Sequence, residues 1–175
     1  MTCLVFDNSP LSHFARAGEL ATLEAITNQY CCVVTQAVLD EIEKGAVERS
    51  ELGDVALLGW LRVVRVDGLA ELQAFAEYAN RLGSGEHDIG EASTLAWAEI
   101  NHAVAVIDER AGARHGIERG VEVHGTLWLI VTGFKSDVLT ESDCISLVDA
   151  LRDSEAWFPC DGATFFEWAR SSGLL

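Results

Sequence analysis

Residues 3–7, Cys3-Leu4-Val5-Phe6-Asp7, set four apolar side chains directly before a carboxylate. A short unbroken apolar run of this kind suits a strand buried on both faces, as in the middle of a parallel sheet. Asp7 ends the run where Asn8-Ser9-Pro10 turns the chain, and Pro10 fits the first turn of a helix. The same hand-over recurs downstream. Tyr30 to Val34 is a second strand-like run, with Thr35 placed to cap a helix through Val38, Leu39 and Ile42 that stops near Gly45. Ala103 to Ile107 is another, and it ends on Asp108.

The segments between these runs read as helices with one further strand before Ala103 and one after it. Leu11, Phe14, Ala15 and Leu20 carry a short helix, and Leu23 to Ile26 a second. A helix follows from Ser50. Leu61 to Val66 alternates with Arg62 and Arg65 as an edge strand should. Leu69 to Leu82 is helical and is ended by Gly83 and Gly85; Ile89 to Ile100 and Arg110 to Arg119 are helical too. Val121 to Val123 is a short strand, and Thr126 to Phe134, Ser142 to Leu151 and Thr164 to Ala169 form a helical C-terminal third. Strands alternating with helices require right-handed crossovers and a mainly parallel sheet. The fold predicted is α/β, a three-layer α/β/α arrangement with a mainly parallel central sheet of about four to five strands. A single domain is expected over residues 1–175, with a helical C-terminal extension from about residue 140.

Composition narrows the functional classes. The chain has 12 Lys and Arg against 28 Asp and Glu, a formal charge of −16, which opposes phosphate binding at long range. Two divalent ions would offset part of that charge at a site, and a basic protein partner would suit the remainder. Five cysteines occur without a C-x-x-C pair, and Cys3, Cys31 and Cys32 fall inside apolar runs, so all five are expected to be reduced. An acid at position 7 interrupts what would be the apolar part of an export signal, and no apolar run is long enough to cross a bilayer. A cytoplasmic protein without membrane contact is the expectation.

Four acids stand out by position. In an open parallel sheet, residues just past the strand C-termini converge on one crevice. Asp7 and Asp108 follow buried strands, Glu41 lies in the helix after the second strand, and Glu91 opens the alanine-rich stretch Ala92 to Ile100. Carboxylates gathered this way repel one another unless cations neutralise them, and hard ions with oxygen ligands, Mg²⁺ or Mn²⁺, are the natural occupants. Each acid also has a plainer reading. Asp7 can cap the following helix, Asp108 and Glu109 can cap the helix at Arg110, and Asp88 with Glu91 has the spacing of a capping box. Glu41 sits at the margin of an apolar face, where charges are usually just solvated. Glu86, Asp88 and Glu91 nevertheless crowd one helix start beyond what capping needs, with His87 beside them. Of the basic residues, Arg110 and Arg114 are placed nearest the acids and are the expected substrate contacts. No nucleophile triad, Walker loop or dinucleotide-binding glycine pattern is present.

Taken in order, five stretches resemble the PIN domain, the nuclease fold of VapC-type toxins of prokaryotic toxin–antitoxin pairs. They are Val5-Phe6-Asp7-Asn8-Ser9-Pro10-Leu11-Ser12, Val38-Leu39-Asp40-Glu41-Ile42, Gly90-Glu91-Ala92-Ser93-Thr94-Leu95-Ala96, Val106-Ile107-Asp108-Glu109-Arg110-Ala111 and Gly120-Val121-Glu122-Val123-His124-Gly125-Thr126-Leu127. The resemblance runs from residue 3 to about residue 152. It implies a catalytic and metal-binding quartet at Asp7, Glu41, Glu91 and Asp108, with Ser9 and Thr126 lining the pocket and Asp88 and Glu109 as possible auxiliaries. It also implies Mg²⁺ or Mn²⁺ as cofactor, RNA as substrate, hydrolysis by metal-activated water, and a cognate antitoxin as partner. Homodimers are common in that family, although no feature of the chain marks an interface. Many relatives carry Asp-Asp where this chain has Asp108-Glu109.

Two other readings compete. A PIN-like module that binds without cleaving fits the acidic charge, although all four acids are in place. A phosphatase of haloacid-dehalogenase type needs an aspartate two residues after the first, where this chain has Ser9.

Overall fold

The computed structural model describes residues 1–82 and 86–175. The stop expected at Gly83 and Gly85 lies outside the described residues, as do the side chains of Glu86 and His87.

Five strands form one parallel sheet: β1 (Cys3–Phe6), β2 (Cys31–Thr35), β3 (Leu61–Val64), β4 (Val104–Val106) and β5 (Val123–His124), in the order β3-β2-β1-β4-β5. Strand order reverses at β1, so the ends of β1 and β4 flank the switch point where ligands of open α/β sheets bind. The helices are α1 (Asn8–Arg16), α2 (Leu20–Thr27), α3 (Gln36–Gly45), α4 (Leu69–Leu82), α5 (Glu86–Asn101), α6 (Arg110–Glu118), α7 (Thr126–Lys135), α8 (Glu141–Asp153) and α9 (Phe165–Ser171), with a 3-10 helix at Ser50–Leu57.

Alternation along the strands builds the three layers. Leu4 and Phe6, Cys32 and Val34, and Val104 and Val106 face a core shared with α1, α2, α3, α7, α8 and α9. Val5, Val33, Ala105 and Ile107 face the opposite core, made with Ala74 and Tyr78 of α4 and Ala92, Leu95 and Ala96 of α5. α8 and α9 supply Leu147, Leu151 and Phe165 to the first core, with α8 packed against α1 and α7.

Several boundaries differ from the sequence reading. Leu20 starts α2 instead of closing α1. The segment from Ser50 winds as 3-10. α5 begins at Glu86, three residues before Ile89, so Asp88 and Glu91 both lie inside it. A capping box between them is not available, since its first residue must precede the helix. The last strand is Val123–His124 rather than 121–123. Gly120 takes a φ of +84° while Gly120 N and Val121 N donate to Ile117 O and Gly116 O, so Val121 finishes α6 before the ladder starts.

Arg119, at the end of α6, ties α6 to α4 and α5. It reaches Glu99 at 2.7 Å and Glu77, and its guanidinium lies 5.0 Å over Tyr78. No helix among the described residues is long and apolar enough to cross a membrane.

Candidate active site: an acidic crevice at the strand ends

The crevice is about 310 Å³ and is lined by Asp7, Asn8, Ser9, Glu41, Asp88, Glu91 and Glu109. Each acid arrives there by a different local route.

Asp7 is carried past the end of β1, its amide bonded to Val106 O at 3.0 Å. It occupies the N-cap position of α1, yet its side chain makes no capping hydrogen bond. Its carboxyl is buried. Burial pushes its pKa up to about 7, and Glu41 and Asp108 push the same way. The backbone amides of Asn8 and Ser9 oppose that rise without cancelling it.

Glu91 projects from the second turn of α5 and is equally buried. Its pKa is raised to about 8, first by burial and then by Asp7, Glu109 and Asp88; the Gly112 amide holds it down in part. Its Oε1 is buried with no hydrogen-bond partner. A carboxylate left in this condition is costly unless it is protonated or meets a cation.

Glu41 lies in the second turn of α3, at the lip of the crevice. Gly90 N donates to its Oε1 at 2.9 Å, and Asn8 Nδ2 approaches its Oε2 at 3.5 Å. The helix that presents it is fixed by Thr35, which accepts from Val38 N and bonds Ser93 Oγ at 2.7 Å. The N-cap expected at Thr35 is therefore formed.

Asp108 and Glu109 divide the work expected of a doublet. Glu109 precedes α6 but makes no side-chain cap, and it faces the crevice. Asp108 accepts from Thr126 N at 2.7 Å and Thr126 Oγ1 at 2.6 Å, so it caps α7 instead of α6. His13 Nε2 stands 3.5 Å from the same carboxylate, and burial lowers the histidine's pKa. Asp108 lines the neighbouring cavity rather than the crevice, while still raising Asp7 through space.

Glycines let the acids seat so closely. A Cβ on Gly90 would lie 2.6 Å from Glu41 Oε1, and one on Gly125 would lie 2.7 Å from Asp108 Oδ1. Gly112 is the extreme case, since its Cβ would overlap the Glu91 carboxylate outright and reach within 2.8 Å of Glu91 Cγ. Gly112 and Gly116 are one turn apart on α6 and meet Glu91 and Leu95, one turn apart on α5. Gly112→Ala is expected to drive Glu91 out of its seat, lowering stability by roughly 1–3 kcal/mol. It should also weaken Mn²⁺ binding measured by calorimetry. An unchanged melting temperature with unchanged Mn²⁺ affinity would contradict this packing.

Of the expected substrate contacts, Arg110 lies 5.4 Å over the Trp157 ring and Arg114 is on the outer surface, 3.9 Å from Glu118. The structure brings together a set of basic residues that sequence reading missed. Arg16, Lys44 and Arg49, with His13 and Glu48, line a groove of about 500 Å³ that shares Asn8, Ser9 and Glu41 with the crevice. Arg49 and Arg16 both reach Glu155, at 2.7 and 3.4 Å.

Among the described residues no group of three His, Cys, Asp or Glu side chains is arranged to hold a metal ion as it stands. Glu41 and Asp108 are turned onto backbone amides instead. The donor set nevertheless fits a hard cation. It is all oxygen, it includes the partnerless Glu91 Oε1, and two of its members are held near neutrality by burial and mutual repulsion.

A family model described as a PIN domain matches residues 3–163. No curated protein matches the chain.

Proposed function

Since the chain belongs to the PIN-domain family, whose members are generally nucleases acting on nucleic acid, we propose that it is a divalent-metal-dependent ribonuclease and the toxin of a toxin–antitoxin pair. The observation that carries this reading is the buried, partnerless Glu91 Oε1 beside Asp7, at the mouth of a parallel sheet.

Asp7, Glu41, Glu91 and Glu109 would hold Mg²⁺ or Mn²⁺. Asp108, kept on Thr126, contributes its charge from the edge. A bound divalent ion would neutralise these acids, lower the pKa of water and stabilise charge on phosphodiester oxygens. The chain's own residues account for the rest. Deprotonation of Asp7 and Glu91 readies the crevice, and the Ser9 hydroxyl and Asn8 amide line its wall as hydrogen-bonding groups. Arg16, Lys44 and Arg49 would bind substrate phosphates along the adjoining groove. These three cations, set among Glu41 and Glu48 in the groove wall, would give phosphate a local foothold in a chain of net charge −16. An antitoxin Arg side chain in the crevice would satisfy the same acids and shut the enzyme off.

The test is cleavage of a mixed pool of tRNA and single-stranded RNA by the purified protein in Mg²⁺, in Mn²⁺ and in chelator. Cleavage in either metal that chelator abolishes is the expected result. Equal cleavage in chelator would overturn the metal dependence.

A further inference from the structure

A third cavity, of about 480 Å³, opens beside the acidic crevice with a cluster of aromatic rings in its wall. Trp128, Trp157, Phe158 and Trp168 line it with His124 and Arg110. Three of the chain's five tryptophans thus converge on one cleft. The His124 and Trp128 rings stack in parallel, 4.2 Å between centroids and 3° apart. Trp157 is 74% exposed, with the Arg110 guanidinium above its ring.

Core packing explains Phe158, which is buried and meets His13 edge-on at 5.8 Å. It does not explain Trp157, whose indole remains in water at an appreciable hydrophobic cost. The cleft adjoins the crevice. Glu109 lines the crevice, and its chain neighbours Asp108 and Arg110 line the cleft. A polymer whose backbone crosses the acids therefore meets these rings next.

We propose that this cleft is a nucleobase subsite, in which a base of single-stranded RNA stacks on Trp157 beside Arg110. The inference rests on the ribonuclease reading and names how that enzyme holds its substrate. Stacking suits this chain because it needs no basic surface, and it tolerates any base, since every base has a π-face. Arg110 adds a cation that can meet both the ring and an adjoining phosphate.

The test uses fluorescence anisotropy of a labelled single-stranded RNA of mixed sequence, in Mg²⁺, with the full chain carrying Asp7→Asn so that the RNA survives. Adding Trp157→Ala is expected to weaken binding about 5- to 150-fold, the range of one base–aromatic stack. Trp157→Phe should retain most of the affinity, and an RNA of the same length lacking bases should bind weakly and ignore the Trp157→Ala change. Equal RNA affinity with and without Trp157→Ala would overturn the subsite. Failure of every form to bind RNA would overturn the ribonuclease reading along with it.

Discussion

Asp7→Asn is expected to lower RNA cleavage at least about 100-fold while making the metal-free protein more stable. The two effects have one cause. Asp7 is buried beside Glu41 and Asp108, and its pKa stands at about 7 instead of 3.8. At pH 8 the folded protein must hold that charge out of water, at a cost of about 4 kcal/mol. An amide of the same shape carries no charge, and part of the cost is recovered, roughly 1–3 kcal/mol once the amide's own burial is counted. In chelator at pH 8 the variant should melt above the parent, and Mn²⁺ should raise its melting temperature far less. A variant that melts below the parent under these conditions would show that Asp7 is a structural cap.

The pH dependence of stability should become shallower with the cation. Asp7 and Glu91 have folded-state pKa values raised above those of the unfolded chain, so between about pH 4 and pH 8 the folded protein binds more protons. Metal-free stability should therefore fall as pH rises through that window. Bound Mg²⁺ or Mn²⁺ requires the deprotonated acids, so saturating metal should stabilise the protein at pH 8 and do little at pH 5; at 100 times its dissociation constant it adds about 2.7 kcal/mol. His13 works the other way. Its pKa is lowered by burial, so its contribution is lost as pH falls. The difference between parent and Asp7→Asn melts across pH removes the histidine and isolates the acid. Parallel parent and variant profiles in chelator would contradict the assignment of Asp7 as a buried, proton-holding acid.

What was legible in the sequence was local. The run Cys3 to Phe6, the cap at Thr35 and the helix Leu69 to Leu82 depend on neighbouring residues, and all three are present in the structure. The edge position of the strand read at Leu61 to Val66 was legible in its alternation, and β3 (Leu61–Val64) does end the sheet. The errors came where a distant contact decides. The start of α5 cannot be read from Ile89, because Glu91 packs against Gly112 of the neighbouring α6 and not into solvent at a helix end. The Gly112–Gly116 spacing was the available signal for that contact, and it says only that something comes close. Asp108 and Glu109 look interchangeable in sequence. Thr126, 18 residues on, takes one and leaves the other facing the crevice. The groove of Arg16, Lys44 and Arg49 was invisible in a total charge of −16, since charge counts carry no geometry.

Cleavage of single-stranded RNA and tRNA by the parent and by Asp7→Asn, run side by side in Mg²⁺, tests the central claim most directly. The account predicts cut RNA with the parent and intact RNA with a variant that is folded and, without metal, more stable. Equal cutting by both proteins would mean that the acidic crevice is not the place where RNA is hydrolysed.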